Sequence, residues 1–183
     1  MEKQQIDNLI EILGKFKDLK RSGWIKRKVC NPESDAEHSF SLAFMVLLFC
    51  PDDMDKLRCL ELALIHDLAE IYAGDYTPVD NISPEEKHSK ELDAMKLLSE
   101  ELSYHQLIDL FNEYEEQKTK EAMFIKGLDK IDNVLTATYY DKHNRSDDYK
   151  LVPEFGKHAL KCLQEINSKD LNDIRLIAQC LVK

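Results

Sequence analysis

Four residues from three separate segments of the chain could bind one metal ion: His38, the adjacent pair His66 and Asp67, and Asp129. Consecutive helical residues point about 100° apart, so His66 and Asp67 can reach one point only where it lies between helices. A His-Asp pair by itself is more typical of a hydrogen-bonded core histidine. His38 and Asp129, however, are costly on core-facing helix positions unless a partner compensates them. Two imidazoles and two carboxylates predict one divalent metal ion, and Mn, Co, Zn, Fe, Ni and Mg all stay open.

Two further acids are candidates for proton transfer. Glu70 follows His66 by four residues and so lies on the same face of the predicted helix, near enough to exchange a proton with water or a leaving oxygen. Asp75 follows Gly74 in a polar loop after that helix, where it can position water or a sugar hydroxyl. The alternative for each carboxylate is a surface or capping role.

The segment 15–28 is basic within an acidic protein, because it holds seven Lys and Arg residues against one acid. A solvated helix face explains most of these lysines. Arg21 and Trp24 are the better candidates for substrate binding, since arginine can bind phosphate through two hydrogen bonds and the single tryptophan can stack on a base or sugar.

Helix signals recur along the chain and no strand pattern competes with them. Ser34 and Glu37 form a capping box, Ser83 precedes Pro84 at a helix start, and Thr119 can cap a later helix. Asp52 or Asp53 is expected to cap the helix that carries His66 to Glu70. That helix has apolar residues at 57, 60, 64 and 68, and the other predicted helices span about 3–20, 35–50, 84–102, 105–116, 119–143, 153–167 and 170–181. We therefore expect an all-α bundle in which residues 1–183 form one domain.

Composition limits the partners and the compartment. The chain has 183 residues and a formal net charge of −10, which argues against duplex nucleic acid and anionic membrane surfaces as partners. Its five cysteines form no Cys-x-x-Cys pair, which favours a reducing cytoplasm over a disulfide framework. The longest apolar run, at 42–50, is too short to span a bilayer, and no signal peptide is evident.

The joint pattern resembles the HD-domain metal-dependent phosphohydrolases, in particular the branch related to the 5′-deoxynucleotidases. The resemblance covers roughly 19–141. It rests on His38, on His66-Asp67 and on the distant Asp129, with extended matches at 31–38, 66–75 and 80–88.

The resemblance implies an HD-domain helical bundle with His38, His66, Asp67 and Asp129 as metal ligands. It also implies that Glu70 and Asp75 line the catalytic pocket, and that Arg21 and Trp24 bind substrate. In the bacterial deoxynucleotidases this arginine and tryptophan are adjacent, whereas Ser22 and Gly23 separate them here.

The implied reaction is hydrolysis of a deoxyribonucleoside 5′-monophosphate to nucleoside and phosphate, by a cytoplasmic homodimer. Two alternatives stay open. One is an HD-type phosphohydrolase that acts on another nucleotide or small phosphate ester. The other is a non-catalytic helical binding protein that uses the metal for stability.

Overall fold

The computed structural model describes residues 2–77, 79–146, 150–166 and 171–182. Within these ranges the regular secondary structure is helical, and an isolated antiparallel bridge joins Lys20 to Ser34. The helices are α1 (Lys3–Asp18), α2 (Ser22–Ile25), α3 (Asp35–Phe49), α4 (Lys56–Ile65), α5 (Glu70–Ala73), α6 (Pro84–Leu102), α7 (Gln106–Glu116), α8 (Lys120–Lys142), α9 (Val152–Glu165) and α10 (Asn172–Leu181). The expected all-α class is confirmed.

Local capping chemistry sets the starts of the helices that carry the site. The Ser34 hydroxyl accepts a hydrogen bond from the Glu37 amide, and the Glu37 carboxylate accepts one from the Ser34 amide, so the predicted capping box begins α3. Ser83 caps α6 ahead of Pro84, and Thr119 caps α8. Each of these three starts is confirmed.

The prediction that one helix carries His66 to Glu70 is wrong. α4 ends at Ile65, and the chain makes a turn over 66–69 before the short α5 begins at Glu70. Amides in the turn bond to carbonyls three residues back, as Leu68 does to Ile65. This tighter winding changes the directions of successive side chains, so the uniform helical spacing assumed from sequence does not apply.

The expected cap of α4 is also wrong. Asp55, not Asp52 or Asp53, accepts a hydrogen bond from the Arg58 amide at 3.0 Å. Met54 is buried and its amide bonds to the Pro51 carbonyl, which closes a turn over the two earlier aspartates and places Asp55 at the helix start.

Helix α8 is the central element, since it packs against α3, α4, α7, α9 and α10. Its apolar face includes Phe124, Ile125, Leu128 and Ile131, all nearly inaccessible to solvent. Burying such side chains is the main stabilising term in a fold of this kind. The same packing fixes the position of Asp129 relative to α3 and to the turn after α4.

A smaller apolar cluster holds the segment between α1 and α3. Trp24 packs edge-on to Tyr140 of α8 and against Phe155 of α9. It therefore ties α2 to two distant helices and fixes one wall of the site. Among the described residues, none of the helices combines the length and apolar character that crossing a bilayer requires.

Candidate metal centre and active site

The four predicted ligands meet in one buried cluster. His38 comes from the first turn of α3, His66 and Asp67 from the turn after α4, and Asp129 from the middle of α8. The Nε2 atom of His38 lies 3.4 Å from Oδ1 of Asp129 and 3.7 Å from Oδ2 of Asp67. The Nε2 atom of His66 lies 3.1 Å from the same Asp67 oxygen.

A contact at Nδ1 orients each of the two imidazole rings. Nδ1 of His38 lies 2.6 Å from a carboxylate oxygen of Asp132, and Nδ1 of His66 lies 3.0 Å from the Ala63 carbonyl oxygen. These partners favour the tautomer with a proton on Nδ1 and a lone pair on Nε2. Both Nε2 atoms are buried and have no hydrogen-bond partner among the described residues.

This donor set fits a divalent metal ion. Two nitrogen or oxygen ligands at about 2.1 Å from one ion, at tetrahedral or octahedral angles, lie roughly 3.0 to 3.4 Å from each other. The separations of His38 from Asp129 and of His66 from Asp67, 3.4 and 3.1 Å, lie in this range, and that of His38 from Asp67, 3.7 Å, is a few tenths of an ångström longer. The two Nε2 atoms and the nearby carboxylates are the groups that such an ion would satisfy.

Electrostatics also favour a cation at this point. Burial alone would raise the pKa of Asp67, but His66, Arg21 and His38 lower it well below its usual range. Burial and Arg21 act to lower the pKa of His38, yet the carboxylates of Asp129 and Asp132 raise it overall, to about 9. The carboxylates thus create a strongly negative potential where the two Nε2 atoms meet.

Glu70 lies beside the cluster as a buried acid. Its side chain is 6% exposed, and Oε2 has no hydrogen-bond partner among the described residues. Burial raises the pKa of Glu70 well above its usual range, and the charges of Asp67 and Asp75 raise it further. A carboxyl group whose pKa is raised in this way is suited to donate a proton.

Asp75 lines the cavity from the loop after α5. Its Oδ2 accepts a hydrogen bond from the Ser22 amide at 2.5 Å, which links this loop to α2. Gly74 precedes it at a φ of 90°, a conformation that disfavours other residues. The glycine lets the chain turn sharply out of α5 and bring Asp75 back toward the site.

Arg21 is surrounded by acceptors. Its Nη1 donates to Oδ2 of Asp67 at 2.8 Å and lies 3.8 Å from the buried Asp35, while Nη2 donates to Asn133 at 3.3 Å. Burial would lower the pKa of Arg21, but Asp67 and other carboxylates raise it further above its usual value. The guanidinium is therefore engaged mainly with the protein's own acids.

The structure places Trp24 differently from the expectation of an open stacking surface. Its ring is 1% exposed and lies between Tyr140 and Phe155. The indole Nε1 donates to the Glu33 carboxylate at 2.9 Å. An apolar ring with its one donor satisfied is stable when buried, so Trp24 supports the wall and exposes almost none of its surface.

A cavity of about 620 Å³ opens next to the cluster. Its walls include residues that the sequence interpretation did not single out, namely Arg27, Lys87, Lys126, Asn133, Phe155 and His158. The α8 residues had a detectable signal, because polar side chains recur at 126, 129, 130 and 133 on one side of an apolar helix. The α9 residues had none, because only the tertiary fold brings this helix to the cavity.

The chain resembles known proteins in sequence and in fold. A family model described as HD domain matches residues 13–169. The 5′-deoxynucleotidase HDDC2 of Mus musculus is 42% identical over 136 residues, which make up 72% of this chain and 68% of that protein. The Homo sapiens protein of that name is also 42% identical over 136 residues, which make up 66% of its length. The match therefore spans about two thirds of the length of these relatives.

Solved structures agree with the family match. A conserved hypothetical protein from Pyrococcus furiosus has a TM-score of 0.79 at 29% identity, over 96% of this chain and 99% of that one. A predicted metal-dependent phosphohydrolase from Magnetospirillum magnetotacticum MS-1 has a TM-score of 0.71 at 26% identity, over 98% and 92% of the two chains.

An all-helical fold with a His, His-Asp and Asp cluster beside a cavity defines the class of helical proteins whose imidazole and carboxylate groups could hold a metal ion. Within that class, the chain belongs to the HD domain family.

Proposed function

We propose that the chain is a metal-dependent phosphohydrolase that converts deoxyribonucleoside 5′-monophosphates to nucleosides and inorganic phosphate. The observation that supports it most is the pair of buried, unpartnered Nε2 atoms of His38 and His66, facing two carboxylates beside a cavity large enough for a mononucleotide. The relatives named 5′-deoxynucleotidase support the choice of substrate.

In this proposal His38, His66, Asp67 and Asp129 hold one divalent ion. Such an ion, when bound, polarises a phosphoryl oxygen and lowers the pKa of water, which supplies a nucleophile at neutral pH. Two nitrogen and two carboxylate ligands suit several metals, including Mn, Co, Zn, Fe, Ni and Mg. Asp132 acts indirectly, by holding the His38 ring with Nε2 directed at the centre.

Glu70 and Asp75 are the proposed proton-handling and orienting residues. Glu70, whose pKa is raised by burial, is the group that would keep a proton on its carboxyl and deliver it to the oxygen of the departing nucleoside. Asp75, fixed by the Ser22 amide, orients water or the sugar hydroxyl at the cavity wall. Arg21 orients the Asp67 carboxylate through its 2.8 Å contact, and Trp24 keeps that wall rigid.

The test is an assay of the metal-loaded chain on deoxyribonucleoside and ribonucleoside 5′-monophosphates, a nucleoside triphosphate, a cyclic nucleotide and p-nitrophenyl phosphate. We expect phosphate release to be fastest from the deoxyribonucleoside monophosphates. Preference for another phosphate ester would favour the alternative HD-type phosphohydrolase.

The variant Glu70→Gln separates an enzyme from a metal-stabilised binding protein. It should lower kcat by roughly 10²- to 10⁴-fold, because it removes a proton-transfer group, while metal content stays at the wild-type level. The exposed Glu85 gives a matched control, and Glu85→Gln should keep full activity. If no substrate in the panel is hydrolysed by wild-type protein, the enzymatic proposal fails.

We further propose that the chain forms a homodimer through the outer face of α3. Phe40, Phe44, Leu47 and Leu48 lie on one side of this helix and are 69%, 53%, 56% and 60% exposed. Together they expose on the order of 400 Å² of apolar surface, which is about half of the roughly 800 Å² that each partner buries in a stable interface. A second copy offers the same apolar stripe and so can cover it.

Light scattering after size exclusion tests the interface. Wild-type chain should have twice the mass of the 21.3 kDa monomer. Phe44→Asp should be monomeric, whereas Leu97→Asp, at an exposed apolar position on α6, should leave the dimer intact. A monomeric wild type, or a dimeric Phe44→Asp, would contradict the proposed interface.

We also propose that residues 1–183 form one HD domain that acts in the cytoplasm. The five cysteines are free thiols, and the Sγ atoms of Cys50 and Cys59 are 4.0 Å apart, without a disulfide bond. Free thiols are typical of a reducing compartment. A single cooperative unfolding transition and a cytosolic cell fraction are the expected results.

A further inference from the structure

Most positively charged side chains that line the cavity are paired with acids of the protein. Arg21 is paired with Asp67, Arg27 with Glu154, Lys87 with Glu91, and Lys130 with Asp129. Lys126 differs, because no hydrogen bond or ion pair joins its ammonium to any described residue. Its defined contact is with the Tyr114 ring, whose centroid lies 4.7 Å from Nζ.

Lys126 lies close to the metal centre without touching its ligands. It precedes Asp129 by three residues on α8, so both side chains lie on the same side of that helix and line the cavity. The Tyr114 ring that it contacts also packs against the His66 ring, with centroids 5.4 Å apart. One aromatic ring therefore separates the Lys126 ammonium from a proposed metal ligand.

The surroundings of Lys126 disfavour its positive charge when no anion is bound. Partial burial lowers the pKa of Lys126 and repulsion by Lys130 lowers it further, while attraction by Asp129, Glu115 and Asp67 opposes the shift without cancelling it. A contact with a ring face compensates a half-buried ammonium only partly. A half-buried cation that lines a cavity and has no acid at hydrogen-bond distance among the described residues is typical of a group that an anionic ligand completes.

We propose that the Lys126 ammonium binds the phosphate group of the substrate and of the phosphate product, from the α8 side of the cavity. This inference rests on the proposed function and adds a residue to its substrate site. Arg21, the arginine expected from sequence to bind phosphate, already donates to Asp67 and Asn133. Lys126 is the cation of the cavity wall whose charge the described acids leave uncompensated at short range.

The experiment measures binding of inorganic phosphate and of deoxyadenosine to the Co²⁺-loaded full chain by calorimetry. Lys126→Gln should weaken phosphate binding about 10- to 100-fold, the loss expected for one charged hydrogen bond. Deoxyadenosine, which has no phosphate, should bind as it does to wild type. Lys126→Arg keeps the charge and should recover most of the phosphate affinity. Lys142→Gln, at an exposed lysine near the end of the same helix, is the matched control.

Thermal unfolding separates binding from structure. Lys126→Gln should melt at the wild-type temperature or above it, because it removes a half-buried charge that no described acid pairs with at hydrogen-bond distance. Wild-type phosphate affinity in Lys126→Gln would overturn the proposal, as would a lower melting temperature with equal losses for both ligands. Wild-type protein that binds no phosphate would overturn it too. If Lys126 governs phosphate binding but no monophosphate is hydrolysed, the proposed function fails and the phosphate site stands.

Discussion

Replacing Asp132 tests whether the arrangement around His38 serves metal binding. The two side chains meet at 2.6 Å and are both buried, with His38 at 0% and Asp132 at 4% exposure. A short, charge-assisted bond in a dry environment is little screened by salt or solvent. Asp132→Asn keeps an acceptor but loses the charge, whereas Asp132→Ala leaves Nδ1 without its partner.

Loss of such a partner typically weakens metal binding 10- to 100-fold, or about 1.4 to 2.8 kcal/mol. We therefore expect Asp132→Asn to weaken metal binding about 10-fold and Asp132→Ala about 100-fold. The assay is a Co²⁺ titration of chelator-treated protein against a competing chelator, with Mn²⁺ in parallel.

Asp141 provides the control for this series. It lies on the same helix, and its carboxylate accepts hydrogen bonds from the Leu151 and Val152 amides at the start of α9. Asp141→Asn should reduce stability but leave the metal Kd within about twofold, since the site is not touched. Equal metal affinity in wild type, Asp132→Asn and Asp132→Ala would refute the reasoning.

Three further predictions concern stability. Burial, and then the charge of Asp67, raise the pKa of Asp35 from 3.8 to about 7. In metal-free protein its contribution to the free energy of unfolding is therefore present below about pH 4 and is lost as the pH rises through 7. Between pH 5 and pH 8 the unfolding free energy in urea should decline less for Asp35→Asn than for wild type, and an equal decline would contradict this. Trp24→Phe, which loses the bond to Glu33, should reduce the unfolding free energy by about 1 kcal/mol with KM within threefold of wild type, and a large KM increase at unchanged stability would instead indicate direct substrate contact. Gly127→Ala places a methyl group 2.6 Å from Leu171, so it should destabilise by about 1 to 3 kcal/mol in chemical denaturation, and wild-type stability would show that Leu171 moves away freely.

The sequence predicted those parts of the fold that depend on local chemistry. The capping box of Ser34 and Glu37, the Ser83-Pro84 start and the Thr119 cap each satisfy donors within a few residues, so α3, α6 and α8 begin where expected. The break after Ile65 was not predicted, because the apolar spacing continues through Leu68 and hides the change in winding.

Side-chain roles that depend on distant partners were harder to predict. The sequence does not show that Arg21 donates to Asp67 and Asn133, or that Trp24 packs against Tyr140 and Phe155. These partners come from segments more than forty residues away in the chain. Only the packing of α8, α9 and the turn after α4 reveals them.

The most direct test of the metal centre is a crystal structure of the Co²⁺-loaded chain with an anomalous difference map. We expect one peak about 2.0 to 2.3 Å from Nε2 of His38, Nε2 of His66 and carboxylate oxygens of Asp67 and Asp129. A strong peak bound by other residues, with these four side chains contacting only one another, would contradict the account.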